Sequence, residues 1–230
     1  MDIHGLQKMT LLDYPEHVAA TVFLGGCDFR CPFCHNYELV DGSFSPIMTE
    51  DDLFSFLQKR VGILDGVAIT GGEPCIRQGL ITFIKKIRSL GFAIKLDTNG
   101  NHPEVLDRIL TEDLADYVAM DIKNSPSKYA STIGLDHFDT KNIDKSVSML
   151  LSSSIDYEFR TTVVKQFHED SDFLQIGEWL SGAKNYYLQQ FTSRNTVPDS
   201  TLSSPSADEM GRFLNIVSPH VEHAAIRGMS

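Results

Sequence analysis

Six short apolar runs, each followed by a segment of helical character, constrain the fold of this chain more than any other feature. The runs span residues 18–24, 66–70, 93–97, 117–121, 157–164 and 185–190. They are rich in Val, Ile, Phe and Tyr and are bounded by Gly, Asp or Asn, as strands are. Helix candidates lie between and after them, at 49–60, 77–90, 103–110, 143–152, 171–181 and 206–217. Thr49 precedes Glu50, Asp51 and Asp52, which suits the positive end of a helix. Ser206 and Glu209 have the spacing of a capping box. Parallel neighbours need a crossover between them, so repeated strand–helix units imply a parallel sheet. Right-handed crossovers curl such a sheet, and a closed eight-unit barrel typically takes ~250 residues. The 230 residues here predict an α/β fold of a partial (β/α)6 TIM-like barrel. No repeat or linker divides it, so residues 1–230 read as a single domain. Segments 124–139 and 192–205 read as long exposed loops.

Ligands of such sheets gather at the carboxyl ends of the strands. The chemically distinctive residues fall there: 25–36 after the first run, 71–74 after the second, and 97–100 ending the third. Residues 121–123, 160–162 and 189–190 follow suit on the last three. Convergence of six separate segments on one rim is stronger evidence than any one of them.

The net charge of −11, with no Lys or Arg block, argues against nucleic acid or a membrane surface as partner, since both need clustered positive charge. The start MDIHGLQKMTLLDYPEH lacks a secretory pattern, and no run approaches the ~18 apolar residues of a spanning helix. The expected location is cytoplasmic. There, four cysteines with three of them inside eight residues favour metal or redox chemistry over disulfides.

Cys27, Cys31 and Cys34 sit C-x3-C-x2-C on a loop opened by Gly25 and Gly26. Such a loop can wrap three corners of a 4Fe–4S cubane, whose usual protein ligands are four thiolates. Cys75 lies far along the chain and reads as a packed thiol. A cluster on the first three would thus keep one iron open to a substrate or cofactor. The competing reading is a zinc site of Cys3His type through His35, which is hampered by the adjacency of Cys34 and His35. Gly71 and Gly72 would let backbone approach a ligand closely. Asp97 and Asp121, both at strand ends, repel unless neutralised, or else are solvated or cap helices. Asn36 could bind a ligand or cap the short helix after the loop, and His35 suits a structural hydrogen bond.

The pattern Cys27-x3-Cys31-x-Phe33-Cys34, with Gly71-Gly72-Glu73 after the second strand, resembles the radical S-adenosylmethionine (SAM) superfamily over most of the chain. The resemblance implies a 4Fe–4S cluster on Cys27, Cys31 and Cys34 whose open iron binds SAM. An electron from the reduced cluster would then cleave SAM to methionine and a 5′-deoxyadenosyl radical. It implies that Thr70, Gly71, Gly72 and Glu73 receive the SAM amino group, that Phe33 supports the adenine, and that Asn36, Lys123 and Arg160 contact SAM. Asp97, Thr98 and Asp121 would hold Na+ or K+ beside the SAM carboxylate. Taken alone, Lys123 and Arg160 would pass as ordinary surface charges. Gln190 stands near where relatives carry a SAM-contacting His.

A finer likeness is to activases of glycyl-radical enzymes, resting on Cys34-His35-Asn36, Thr70–Pro74, Asp97–Gly100 and Asp121-Ile122-Lys123. Within these, Gly5–Pro15 and Tyr117–Tyr129 resemble anaerobic ribonucleoside-triphosphate reductase activating proteins. The resemblance implies anaerobic ribonucleotide reductase as partner and a flavodoxin or ferredoxin as electron donor. Four cysteines exclude a second cluster domain. The alternatives are a formate-lyase-type partner, or a small-molecule substrate such as a deazapurine precursor. The short stretch after Gln190 offers little to close the barrel, which favours a peptide substrate. A zinc-binding interaction module would account for the cysteines alone and leave the other five rim segments unexplained.

Overall fold

The computed structural model describes residues 1–228. Among these residues eight strands form one sheet in the order of their sequence. They are β1 (Ile3–Thr10), β2 (Ala19–Leu24), β3 (Gly66–Gly71), β4 (Ala93–Thr98), β5 (Tyr117–Asp121), β6 (Asp156–Val163), β7 (Asn185–Gln190) and β8 (His223–Arg227). β2 to β8 run parallel, while β1 folds back antiparallel onto β2. β1 and β8 are the two sheet edges, so the barrel is partial and open between them.

The six central strands are those read from the apolar runs; β1 and β8 correct the count to eight. Both are edge strands with weak patterning. β1 is broken by register shifts on either side of Gly5–Gln7, and β8 (HAAIR) is exposed or half-buried throughout. Only strands covered on both faces read as continuous apolar runs. The residues after Gln190 therefore add both a helix and a strand.

Among the described residues eight helices accompany the sheet: α1 (Tyr37–Val40), α2 (Glu50–Gln58), α3 (Leu80–Ser89), α4 (Pro103–Thr111), α5 (Tyr129–Thr132), α6 (Lys141–Ser152), α7 (Asp170–Trp179) and α8 (Ala207–Val217). The capping readings hold. Thr49 Oγ1 accepts the Asp52 N–H while Asp52 accepts the Thr49 N–H, and Ser206 and Glu209 pair in the same way. Each cap satisfies backbone donors that helix geometry leaves free.

Alternation along the strands sorts side chains between two environments. On β6, Tyr157, Phe159 and Val163 join the core under the helices. Glu158 and Arg160, one residue out of step, meet charged partners from β5 and β8. The lumen is thus polar and the helix-facing shell apolar.

Segment 124–139 is folded, against the expectation of an exposed loop. Asn124, Tyr129 and Ile133 are buried. Asn124 Nδ2 donates to Thr132 Oγ1 (2.9 Å) and to the Phe167 carbonyl (3.0 Å). The Tyr129 ring stacks on Phe138 and meets Phe29 edge-on. Its polar composition conceals a bracket for the cysteine loop, because the Arg30 N–H donates to the Ile133 carbonyl at 2.8 Å. Segment 192–205 is mostly exposed but is anchored by buried Val197 and Leu202 and by the Asp199 N–H on the Pro32 carbonyl (3.1 Å).

Candidate active site at the barrel mouth

The fourteen residues assigned to the cluster, to SAM or to a cation all line one cavity of about 270 Å³ at the carboxyl ends of the strands. Cys27, Cys31, Phe33, Cys34 and Asn36 come from the loop after β2, and Thr70, Gly71, Gly72 and Glu73 from the end of β3. Asp97 and Thr98 end β4, Asp121 ends β5 with Lys123 just beyond, and Arg160 comes from β6.

The glycine pair belongs to the joint between two of these segments. A Cβ on Gly71 would collide with the Leu24 backbone, and one on Gly72 with the Gly26 carbonyl oxygen. Two backbone bonds run through the contact, from Gly72 N–H to the Leu24 carbonyl (2.9 Å) and from Glu73 N–H to the Gly26 carbonyl (2.8 Å). The close approach that requires glycine here is to the cysteine loop. Asn36 reinforces it with an amide hydrogen bond to the Gly71 carbonyl (3.2 Å); it stands at the N-cap position of α1, but its side chain makes no capping bond there.

Glu73 is 1% exposed. Its oxygens accept from Cys75 N–H (2.9 Å), Thr98 Oγ1 (2.8 Å) and Asn99 N–H (2.6 Å). Full burial pushes its pKa up, against the pull of these donors. It ties the turn after β3 to the end of β4, a role sequence spacing could not reveal.

The acidic pair meets protein cations. Arg160 Nε donates to Asp121 (2.9 Å) and its Nη1 lies 3.4 Å from Asp97. Lys123 Nζ lies 2.9 Å from Asp121, and Lys95 pairs with Asp97. Burial would raise both carboxyl pKa values, but Arg160 and the two lysines hold them below the ordinary range. Mutual repulsion is offset by these three side chains, so it supplies no ground for a bound Na+ or K+.

The four cysteines are free thiols. Burial raises the pKa of Cys27 to about 12 and of Cys31 to about 11, and raises that of Cys34 as well. Metal binding must therefore displace protons. Cys75 is buried against Thr98 Oγ1 (3.6 Å) and stays out of the cavity lining. His35 gives its Nε2 to the Thr192 carbonyl (2.7 Å) and stacks on Phe191, a structural engagement. Gln190 turns outward to the Pro205 carbonyl (2.8 Å), and Gln189 takes the cavity position. Strand alternation allowed only one of the two to face in. Asn99, Thr162 and Gln189 also line the cavity and had received no role. Thr162 was legible two residues from Arg160 on the same strand face.

Residues 21–180 match the radical SAM superfamily. The chain belongs to that superfamily. A Methanocaldococcus jannaschii protein provisionally named a glycyl-radical enzyme activating enzyme is 29% identical over 98% of this chain and 95% of its own length. The 7-carboxy-7-deazaguanine synthase of Thermococcus kodakarensis is 27% identical over 46% of this chain and 49% of its own. A solved domain of pyruvate-formate lyase-activating enzyme from Bacteroides vulgatus shares the fold, with TM-score 0.59 at 17% identity, over 71% of this chain and 99% of the domain.

Membership implies an enzyme that uses a 4Fe–4S cluster and SAM, and the residues present fit both. Three free thiols from one loop share a cavity wall. Among the described residues no three His, Cys, Asp or Glu side chains converge on a point that would hold a single ion. Opposite them the cavity presents basic and acidic side chains from β4 to β6, apt for a zwitterionic ligand. No helix among the described residues is long and apolar enough to cross a membrane.

Proposed function

We propose that this radical SAM enzyme is an activase that installs a glycyl radical on a partner protein. The observation that carries the reading is the openness of the lumen. A second cavity of about 550 Å³, lined by Leu11, Leu12, Lys95, Glu158 and Arg227, shares Asp97, Arg160 and Gln189 with the first. A polypeptide loop could reach the cavity from this side. The near-full-length likeness to the M. jannaschii protein supports the same reading.

In this proposal Cys27, Cys31 and Cys34 hold the cluster, which when bound and reduced supplies the electron that cleaves SAM. Thr70, Gly71, Gly72 and Glu73 face the SAM amino group. Lys123 and Arg160 neutralise its carboxylate by charge-assisted hydrogen bonds. Phe33, packed 5.9 Å from Phe167, offers an apolar surface to the adenine, and Asn36 holds the cysteine loop to the glycine turn. The partner's glycine Cα must come to near contact, ~3–3.5 Å, for direct hydrogen transfer.

Anaerobic ribonucleotide reductase is the partner we favour, on the likeness of Gly5–Pro15 and Tyr117–Tyr129 to activators of that enzyme; a flavodoxin or ferredoxin would supply the electron. A formate-lyase-type partner would use the same site. Anaerobic incubation with SAM, reductant and each candidate partner should yield a glycyl doublet by electron paramagnetic resonance (EPR) with the proper one. Deuterium placed on the partner's glycine Cα should appear in 5′-deoxyadenosine. Retention of the label while a small metabolite is consumed would replace the activase with a small-molecule enzyme.

A further inference from the structure

The surroundings of Cys27 hold a feature the SAM and cluster assignments leave unused. Its sulfur accepts the Phe29 backbone N–H at 3.4 Å, and the side-chain amide of Asn99 reaches to 4.0 Å from the same sulfur. Asn99 is 6% exposed and is held from three sides. Its Nδ2 donates to Asp28 Oδ1 (2.8 Å), its backbone N–H donates to Glu73 Oε2 (2.6 Å), and its Oδ1 accepts the Asn101 N–H (2.9 Å). Asp28 is fixed in turn by Asn101 Nδ2 (2.6 Å) and His102 Nε2 (3.0 Å). An amide nitrogen carries two hydrogens. Asp28 takes one and leaves the other for the sulfur.

We propose that Asn99 is a positioning residue that acts through Cys27, donating an N–H···S hydrogen bond to the cluster thiolate and making the cluster easier to reduce. Reduction places additional negative charge on the cluster and its sulfurs, and a donor to charged sulfur binds more strongly as that charge grows. Hydrogen bonds to ligand sulfurs are among the factors that set cluster potentials. Because Asn99 also hangs on Glu73, the same residue couples the cysteine loop to the turn that faces SAM. The inference rests on the cluster reading of Cys27, Cys31 and Cys34.

Asn99→Ser tests it. The serine oxygen can still accept the Asn101 N–H, but the shorter side chain cannot reach Cys27. Wild type and variant, purified anaerobically, are assayed for iron and titrated with dithionite and mediators while the EPR signal of the reduced cluster is followed. The variant should carry wild-type iron, and its one-electron reduction equilibrium should fall about tenfold, a midpoint ~59 mV more negative. Equal midpoints at equal iron would overturn the role of Asn99 and leave the cluster reading intact. A wild-type chain that takes up no iron would overturn both. Should the variant fail to load, the wild type still decides. Protein carrying asparagine labelled with 15N in the side chain should show a coupled 15N nucleus in pulsed EPR of the reduced cluster, and its absence would remove the proposal. Asn36, the neighbouring asparagine, directs its amide to the Gly71 carbonyl, and a signal that persists in labelled Asn99→Ser would assign the coupling to another asparagine and overturn the proposal.

Discussion

The thiols at the barrel mouth differ by position rather than by kind. Cys27, Cys31 and Cys34 line the cavity, while Cys75 lies buried behind Glu73 and Thr98. Cys75→Ala should therefore keep reconstituted iron near the wild-type level, whereas Cys31→Ala should lose most of it; iron loss in the Cys75 variant would refute the three-cysteine cluster. His168 is a second residue whose surroundings decide its chemistry. It is 5% exposed, its Nδ1 accepts the Val164 N–H (3.1 Å), and its Nε2 faces the Lys123 carbonyl (3.0 Å). Nδ1 also lies 3.2 Å from the Val164 carbonyl, so the neighbouring carbonyls favour the charged ring and burial opposes it. Burial depresses its pKa below the ordinary 6.5. A depressed histidine contributes stability that is fully present above its unfolded pKa and is lost as pH falls through the folded value. Urea midpoints of the wild type should drop between pH 7.5 and pH 5 more steeply than those of His168→Gln. Parallel pH profiles would show that His168 does not titrate in this range.

Among the elements, two joints stand out. The first is the contact between the turn after β3 and the loop after β2, where Gly71 and Gly72 admit no side chain. A Cβ at Gly72 must push the Gly26 carbonyl away, breaking the Glu73 N–H bond to it. Gly72→Ala should then cost iron retention as well as SAM affinity, measured by iron content after desalting; full iron with reduced SAM affinity would show that the cysteine loop tolerates the shift. The second joint fastens β8 to the sheet from inside. Arg227 makes two hydrogen bonds to Glu158 (2.8 and 2.9 Å), whose carboxylate is 1% exposed and also accepts from Tyr117 Oη (2.8 Å). Arg227→Ala would leave that carboxylate short of a cation. A cost of about 2 kcal/mol is expected, below the ~3–5 kcal/mol of a fully buried pair because water reaches the guanidinium. Restoration of most of the loss by Glu158→Gln in the same background would confirm the cause.

Across the whole molecule, charge is arranged as a network down the lumen, from Arg227 and Glu158 through Arg160 to Asp97 and Asp121. Arg160 lies within 4.0 Å of all three of these carboxylates and draws β4, β5 and β6 together. Arg160→Met should leave the helices and iron content intact, lower thermal stability, and weaken SAM binding at least tenfold by calorimetry. Unchanged SAM affinity would remove Arg160 from the SAM site.

Local pattern was enough for the six central strands, their helices and the carboxyl-end placement of every candidate residue. Alternation, caps and the C-x3-C-x2-C spacing are encoded within a few positions of one another. The two edge strands were not legible, since half-exposed backbone needs no apolar run, and neither was the folding of 124–139, whose Asn124 and Tyr129 are polar side chains made internal by distant partners. The neutralisation of Asp97 and Asp121 by protein cations was hidden for the same reason. From sequence they are two isolated acids at strand ends, and only the barrel brings Lys95, Lys123 and Arg160 against them. Spacing could assign the thiols to one loop. Which sulfur faces an amide, which glutamine turns inward and what the glycine pair touches depend on contacts between segments far apart in the chain, and those exist only once the sheet has curled.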